Sequence, residues 1–127
     1  MRKNNNFRTD AEFEDFLANI GGLVRVYRQD KGPIIKRNQF NVGNGWLGIL
    51  ERLFETLIRL GWDKSFINVK EKFGGLRFYI NEGSDEIYNT ISKYEELSYK
   101  TCEYCGDEGI TINKKGWLIT CCDKHSI

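Results

Sequence analysis

Four cysteines, at positions 102, 105, 121 and 122, are followed at once by the single histidine of the chain, His125, and this cluster constrains the fold more than any other feature. The first six residues, Met-Arg-Lys-Asn-Asn-Asn, have no apolar segment behind them, so a secretory leader is not expected. Closely spaced thiols in such a context are more often metal ligands than disulfides. Cys102-x-x-Cys105 and Cys122-x-x-His125 form two knuckles of equal spacing, the arrangement that closes a tetrahedral zinc site. Cys121 is then spare. Neighbours along an extended strand face opposite sides, so a Cys121 turned from the metal serves as a small apolar residue. The reverse choice makes Cys121 the ligand; the matched spacing to His125 favours Cys122.

Gly106 follows Cys105 where a knuckle turns its amides towards the sulfurs. Ile110-Thr111-Ile112 and Trp117-Leu118-Ile119-Thr120 flank Asn113-Lys114-Lys115-Gly116, which predicts a short β-hairpin between the knuckles. A ribbon this short has no self-sufficient core, so zinc would supply its folding free energy and the site is expected to be structural. Catalytic zinc needs an open position and a general base, and a Cys–His nucleophile would take His125 from the metal; neither fits the set.

The rest of the chain reads as α+β: about three helices packed on a small antiparallel hairpin, with the zinc-ribbon-like module at the C-terminus. Thr9 and Glu12 have capping-box spacing ahead of Phe13, Phe16, Leu17 and Ile20, predicting a helix over 10–20 closed by Gly21-Gly22. Leu23, Val24, Val26 and Tyr27 suggest a strand, and 30–44 reads as a loop with a further strand at Ile34-Ile35. A broad apolar stripe from Trp46 to Leu60 marks a second helix, ended by Gly61. Ser84 is a natural N-cap for a third, with Asp85 and Glu86 in its first turn and Ile87, Ile91, Tyr94 and Leu97 or Ser98 inward. That helix leads into the first knuckle. The expected organisation is a flexible tail over 1–8, an α+β core over 9–100 and a zinc module over 101–127, packed as one unit.

Between the second and third helices, two alternating runs surround Gly74-Gly75. With the glycines as a two-residue turn, Phe73 opposes Leu76, Lys72 opposes Arg77, Glu71 opposes Phe78, Lys70 opposes Tyr79 and Val69 opposes Ile80. One face then carries Val69, Phe73, Leu76, Phe78 and Ile80 with Glu71 among them; the other carries Lys70, Lys72, Arg77 and Tyr79. Opposed like charges cost stability unless an anion relieves them, so the second face is a candidate anion platform, or else a solvated face whose long stems cover apolar surface. Glu71 on the apolar face needs a partner, for which Arg25 and Arg52 are the candidates, or a place at the sheet margin; a buried ion pair outranks an acid/base role.

Charge narrows the function. The chain has 19 basic and 18 acidic side chains, and its last segment, 82–127, has 5 basic against 9 acidic. A non-specific nucleic-acid binder draws its affinity from cations paired with phosphates, which disfavours that class here. Eight phenylalanines, six tyrosines and three tryptophans supply a core, and no apolar run approaches the roughly 18 residues of a membrane span. A soluble, cytoplasmic protein is expected.

The string Val69-Lys-Glu-Lys-Phe-Gly-Gly-Leu-Arg-Phe-Tyr79, preceded by Gly45-Trp46 and followed by Cys102-Glu-Tyr-Cys105-Gly and by Gly116-Trp117, Thr120 and Cys122-Asp-x-His125, resembles a family of small proteins of bacteriophages and bacteria. The likeness spans about 43 to 125. It implies Cys122 as the ligand, since the family's tail has a single cysteine there, and a bacterial host cytoplasm if the chain is phage-encoded; it implies no activity.

Three function classes follow. The first is a non-enzymatic binding protein that captures a small anionic ligand, such as a nucleotide signal, through Lys70, Lys72 and Arg77 with Tyr79 and Trp46 as nearby rings. In a phage this would sequester a host defence signal. The second is an inhibitor or adaptor that binds a host protein. The third, a small enzyme, lacks a histidine other than His125, a phosphate loop and a paired-carboxylate constellation. Nucleic acid ranks behind the first two, no membrane partner is expected, and self-association is left open.

Overall fold

In the computed structural model, which describes residues 6–21, 23–25, 33–34, 36–64 and 67–126, the elements run α1 (Asp10–Asn19), β1 (Leu23–Arg25), β2 (Pro33–Ile34), α2 (Leu47–Arg59), β3 (Ile67–Lys72), β4 (Gly75–Ile80), α3 (Asp85–Ser98), β5 (Ile110–Lys114) and β6 (Trp117–Cys121). Each strand pair is an antiparallel hairpin, β1 with β2, β3 with β4 and β5 with β6. The architecture is α+β, three helices around small hairpins. Val26, Tyr27 and Ile35, expected in strands, and the segment 1–5 of the expected tail lie outside the described residues.

Local chemistry sets the helix ends. The Thr9 Oγ1 accepts from the Glu12 amide at 3.1 Å and the Glu12 Oε1 accepts from the Thr9 amide at 2.9 Å, which closes the capping box. Ser84 Oγ accepts from the Ile87 amide at 3.2 Å at the head of α3. Gly61, at φ +94°, takes the left-handed conformation that stops α2.

The core forms where α1 (Phe13, Leu17), α2 (Leu47, Leu50, Leu53, Phe54, Leu57), α3 (Ile87, Ile91) and one face of the β3–β4 hairpin (Ile67, Val69, Leu76, Phe78) meet. Rings fill it. Phe54 lies 5.4 Å from Phe78 and 6.2 Å from Trp62, and Phe13 meets Phe40 edge-on at 5.1 Å. α3 also covers the outer edge of β4: the Leu76 and Phe78 amides donate to Ser98 Oγ at 2.8 Å and to Glu95 Oε2 at 2.9 Å. On the other side, the Asn41 amide donates to the Val69 carbonyl at 3.3 Å, so a short bridge covers β3.

The register of β3–β4 corrects the expected one. Lys72 opposes Gly75, Glu71 opposes Leu76, Lys70 opposes Arg77 and Val69 opposes Phe78. The turn is therefore Phe73-Gly74, at φ +55° and +85°, and not Gly74-Gly75. Two positive φ values define the twist-compatible hairpin turn. Because the partners shift by two residues, the face assignments survive except for Phe73, which leaves the apolar face for the turn. Gly75 serves a different purpose: a Cβ there would fall into the Tyr99 ring, 2.6 Å from Cε1.

Candidate metal centre

The donor atoms of Cys102, Cys105, Cys122 and His125 all lie within 4.8 Å of one another. α3 delivers Cys102 through the turn after Ser98, the knuckle carries Cys105, and β6 ends at Cys121, one residue before Cys122. A single turn over Asp123–His125, closed by the His125 amide on the Cys122 carbonyl at 3.1 Å, brings the imidazole back. Cys105 Sγ is 3.6 Å from Cys122 Sγ, while His125 Nδ1 is 3.1 Å from Cys122 Sγ and 3.5 Å from Cys102 Sγ. Metal–sulfur and metal–nitrogen bonds of about 2.3 and 2.0 Å imply tetrahedron edges of about 3.5 to 3.8 Å; the three separations above lie at or a little below that range, and the whole set, within 4.8 Å, is close enough to converge on one metal ion. Nδ1 is the nitrogen that faces the centre.

Cys121 is buried at 2% exposure and paired with Ile110 across the β5–β6 hairpin, outside the donor set. Cys122, one residue past the end of β6, begins the turn over Asp123–His125 and joins the donor set instead.

The electrostatics of the donors fit a cation. Burial acts to raise the Cys102 thiol, but the backbone N–H groups of Cys105, Cys122 and Tyr104 outweigh it and hold the pKa below the usual thiol value. At Cys122 burial also acts upward, and the His125 side chain, Cys105 and the amides of His125 and Lys124 pull the pKa down. Cys105 is pushed up to about 12, by burial first and then by the Cys122 and Cys102 sulfurs beside it. Two sulfurs thus favour the thiolate and the third resists it. A cation at the centre removes that conflict.

The module is bolted to the core through the short turn Asn44–Trp46 that precedes α2. The Gly45 amide donates to the Glu103 carbonyl at 2.8 Å, the Gly43 amide to Glu103 Oε2 at 2.9 Å, and the Trp46 Nε1 to the Thr101 carbonyl at 2.8 Å. A Cβ at Gly45 would collide with the Cys102 carbonyl and sit 2.5 Å from the Gly106 nitrogen, so the knuckle and this turn touch backbone to backbone. Asn6, in the segment expected to be a loose tail, adds a strap: its Nδ2 donates to the Gly106 carbonyl at 2.8 Å, its carbonyl accepts from the Gly48 amide at 2.7 Å, and its Oδ1 accepts from Arg52 at 2.8 Å.

The residues expected to bind a ligand divide. Lys70, Lys72, Arg77 and Tyr79 share one face of the β3–β4 hairpin. The opposed like pair is Lys70–Arg77, not Lys72–Arg77. Each cation rests near a ring, Lys70 at 5.8 Å from Tyr79, Lys72 at 5.5 Å from Phe73 and Arg77 at 5.8 Å from Tyr99. Tyr99 also bonds the Arg77 side chain, which raises the guanidinium pKa. Trp46 does not join this face: it is fully buried, with its indole N–H spent on Thr101. Glu71 shows no bond to Arg52 among the described residues. Its Oε2 accepts from the Gly74 amide at 2.8 Å and so braces the turn, while Arg52 binds Asn6 and the Arg25 side chain lies outside the described residues. The sequence reading missed the Gly43–Trp46 docking turn and the Asn6 strap, whose partners lie far along the chain.

Comparison with protein-family models, curated proteins and solved structures found no match to this chain. Among the described residues, no helix is long and apolar enough to cross a membrane.

Proposed function

We propose that the chain is a non-enzymatic binding protein completed by one structural zinc ion, and that it captures a small anion of nucleotide-like chemistry. The observation that carries the metal half is the convergence of Cys102, Cys105, Cys122 and His125 within 4.8 Å. Three thiolates and an imidazole suit zinc, and four protein ligands leave it no open position for a substrate. The zinc holds a module that is itself bonded to the head of α2 and to the β3–β4 turn. Its role is to keep two hairpins in fixed relation.

The capture half is supported by Lys70, Lys72 and Arg77 on one hairpin face, and by the likeness of the hairpin string and the tail to small phage and bacterial proteins. In that setting a protein made in quantity lowers a host messenger by holding it, an anti-defence role that needs no turnover. Native mass spectrometry of protein from its natural host tests both halves. One zinc per chain and a nucleotide recovered intact are expected; a metal-free chain, or a chemically altered nucleotide, would contradict the reading.

A further inference from the structure

The tip of the β3–β4 hairpin lies against one face of the β5–β6 hairpin. Thr120 Oγ1 donates to the Gly74 carbonyl at 2.6 Å, and a Cβ at Gly74 would stand 3.0 Å from the Thr111 methyl. Beside this contact a groove of about 520 Å³ opens, lined by Lys72, Phe73, Asn113, Trp117 and Leu118 among others. Its apolar side chains are unusually bare: Trp117 is 76% exposed, Phe73 62% and Leu118 38%, whereas Trp46 and Trp62 are 0% and 5% exposed.

Folding does not account for Phe73. It occupies the first position of its turn at φ +55°, a conformation that a bulky side chain adopts at a cost and that asparagine adopts readily. It returns little burial for that cost. A strained, exposed ring lining the same groove as an exposed indole points to a ligand with a flat face. Charge identifies the rest of that ligand. Lys72 lines the groove, and Lys115 stands in the adjoining turn; the one lining carboxylate, Glu71, is bonded to the Gly74 amide.

We propose that the groove between the two hairpins seats the base of a nucleoside phosphate on Phe73 and Trp117, with its phosphate towards Lys72 and the turn at Lys115. The proposal rests on the capture reading and places its ligand. A free nucleotide fits better than the alternatives. The volume falls within the range of about 300 to 1,000 Å³ found for small-molecule sites. A nucleic-acid strand needs a continuous cationic track, and the segment 82–127 has 5 basic against 9 acidic groups. A second copy seated symmetrically on this face would bring Lys72 and Lys115 against their own duplicates.

Titration of the zinc-loaded, ¹⁵N-labelled full chain with ribonucleoside monophosphates and cyclic nucleotides tests this. A binding nucleotide should shift the Trp117 indole signal and the Gly74 and Gly116 amides, while the Trp46 and Trp62 indoles stay in place. Trp117→Ala should weaken that nucleotide roughly 5- to 150-fold, the span of one lost base–ring stack. Phe73→Asn should weaken it too, yet raise the melting temperature, because Asn-Gly is a favoured pair for this turn. A purely structural Phe73 would not show that opposition.

Three outcomes overturn the groove. If a nucleotide shifts only the Lys70 and Arg77 signals, and Phe73→Asn binds it unchanged, capture stands and the site is the cationic face. Tighter binding of an oligothymidylate than of any mononucleotide makes the occupant a strand. Absence of any nucleotide response, with a host protein bound through Trp117 instead, removes both the groove's ligand and the capture reading.

Discussion

Cys121 and Cys122 are adjacent, chemically identical and opposite in role. Cys122 stands 3.1 Å from His125 Nδ1, and Cys121 is buried beneath the hairpin. Cys122→Ser should therefore release the metal, while Cys121→Ser should keep one ion per chain and lose about 1 to 3 kcal/mol of stability to the buried hydroxyl. Metal content by mass spectrometry and chemical denaturation read the two effects separately. Equal metal loss in both variants would reassign the spare cysteine. The donor set was legible because both knuckles are local in sequence. Glu71 and Trp46 were not: each takes a partner that spacing alone does not reveal, a turn amide for one and a carbonyl 55 positions away for the other.

Glu95 gives a pH signature at the same scale. Burial raises its pKa against the opposing Phe78 amide and Arg77. The folded state therefore binds its proton more tightly than the unfolded chain does. This contribution is fully present below the ordinary value of 4.5 and is lost as pH rises through the higher folded value. Glu95→Gln keeps an acceptor for the Phe78 amide and removes the titration. The stability of the variant relative to the parent should thus increase as pH climbs through that window, measured as the difference in melting temperature. A flat difference would show that Glu95 ionises alike in both states.

At the scale of elements, Gly74 and Gly75 show what sequence carries and what it hides. A glycine pair between alternating runs announces a hairpin, and the alternation assigned Lys70, Lys72, Arg77 and Tyr79 to one face, as observed. Only one of the two glycines serves the turn. Gly75 has no positive φ and is there because the Tyr99 ring lies against it, a contact from the far end of α3. Gly75→Ala should accordingly destabilise the chain by about 1 to 3 kcal/mol through overpacking, although alanine alone favours a strand more than glycine does. The penalty should shrink in a Tyr99→Leu background. Denaturant unfolding of the double-mutant cycle measures it, and a stabilised Gly75→Ala would refute the contact.

For the whole molecule, the organisation is two bodies of structure joined by short-range bonds beside the candidate metal site. The larger has its own apolar core, built on α2; the smaller has a ribbon, a knuckle and few buried side chains. Zinc binding in peptides of the smaller body's size is worth about 10 to 16 kcal/mol, comparable with the whole stability of an ordinary domain. Chelation should therefore unfold 101–126 and free the amides of Gly43 and Gly45, with protection inside α2 retained, as hydrogen exchange would show. The helix count and the module were foreseeable from periodicity and spacing. Their mutual docking was not, because it depends on backbone contacts such as Gly45 against Cys102 that carry no local pattern.

The zinc K-edge absorption spectrum of the purified chain tests the central claim most directly. The geometry predicts three sulfurs at about 2.3 Å and one nitrogen at about 2.0 to 2.1 Å. A shell of four sulfurs would place Cys121 in the site and His125 outside it, and an oxygen-rich shell would contradict a closed structural centre.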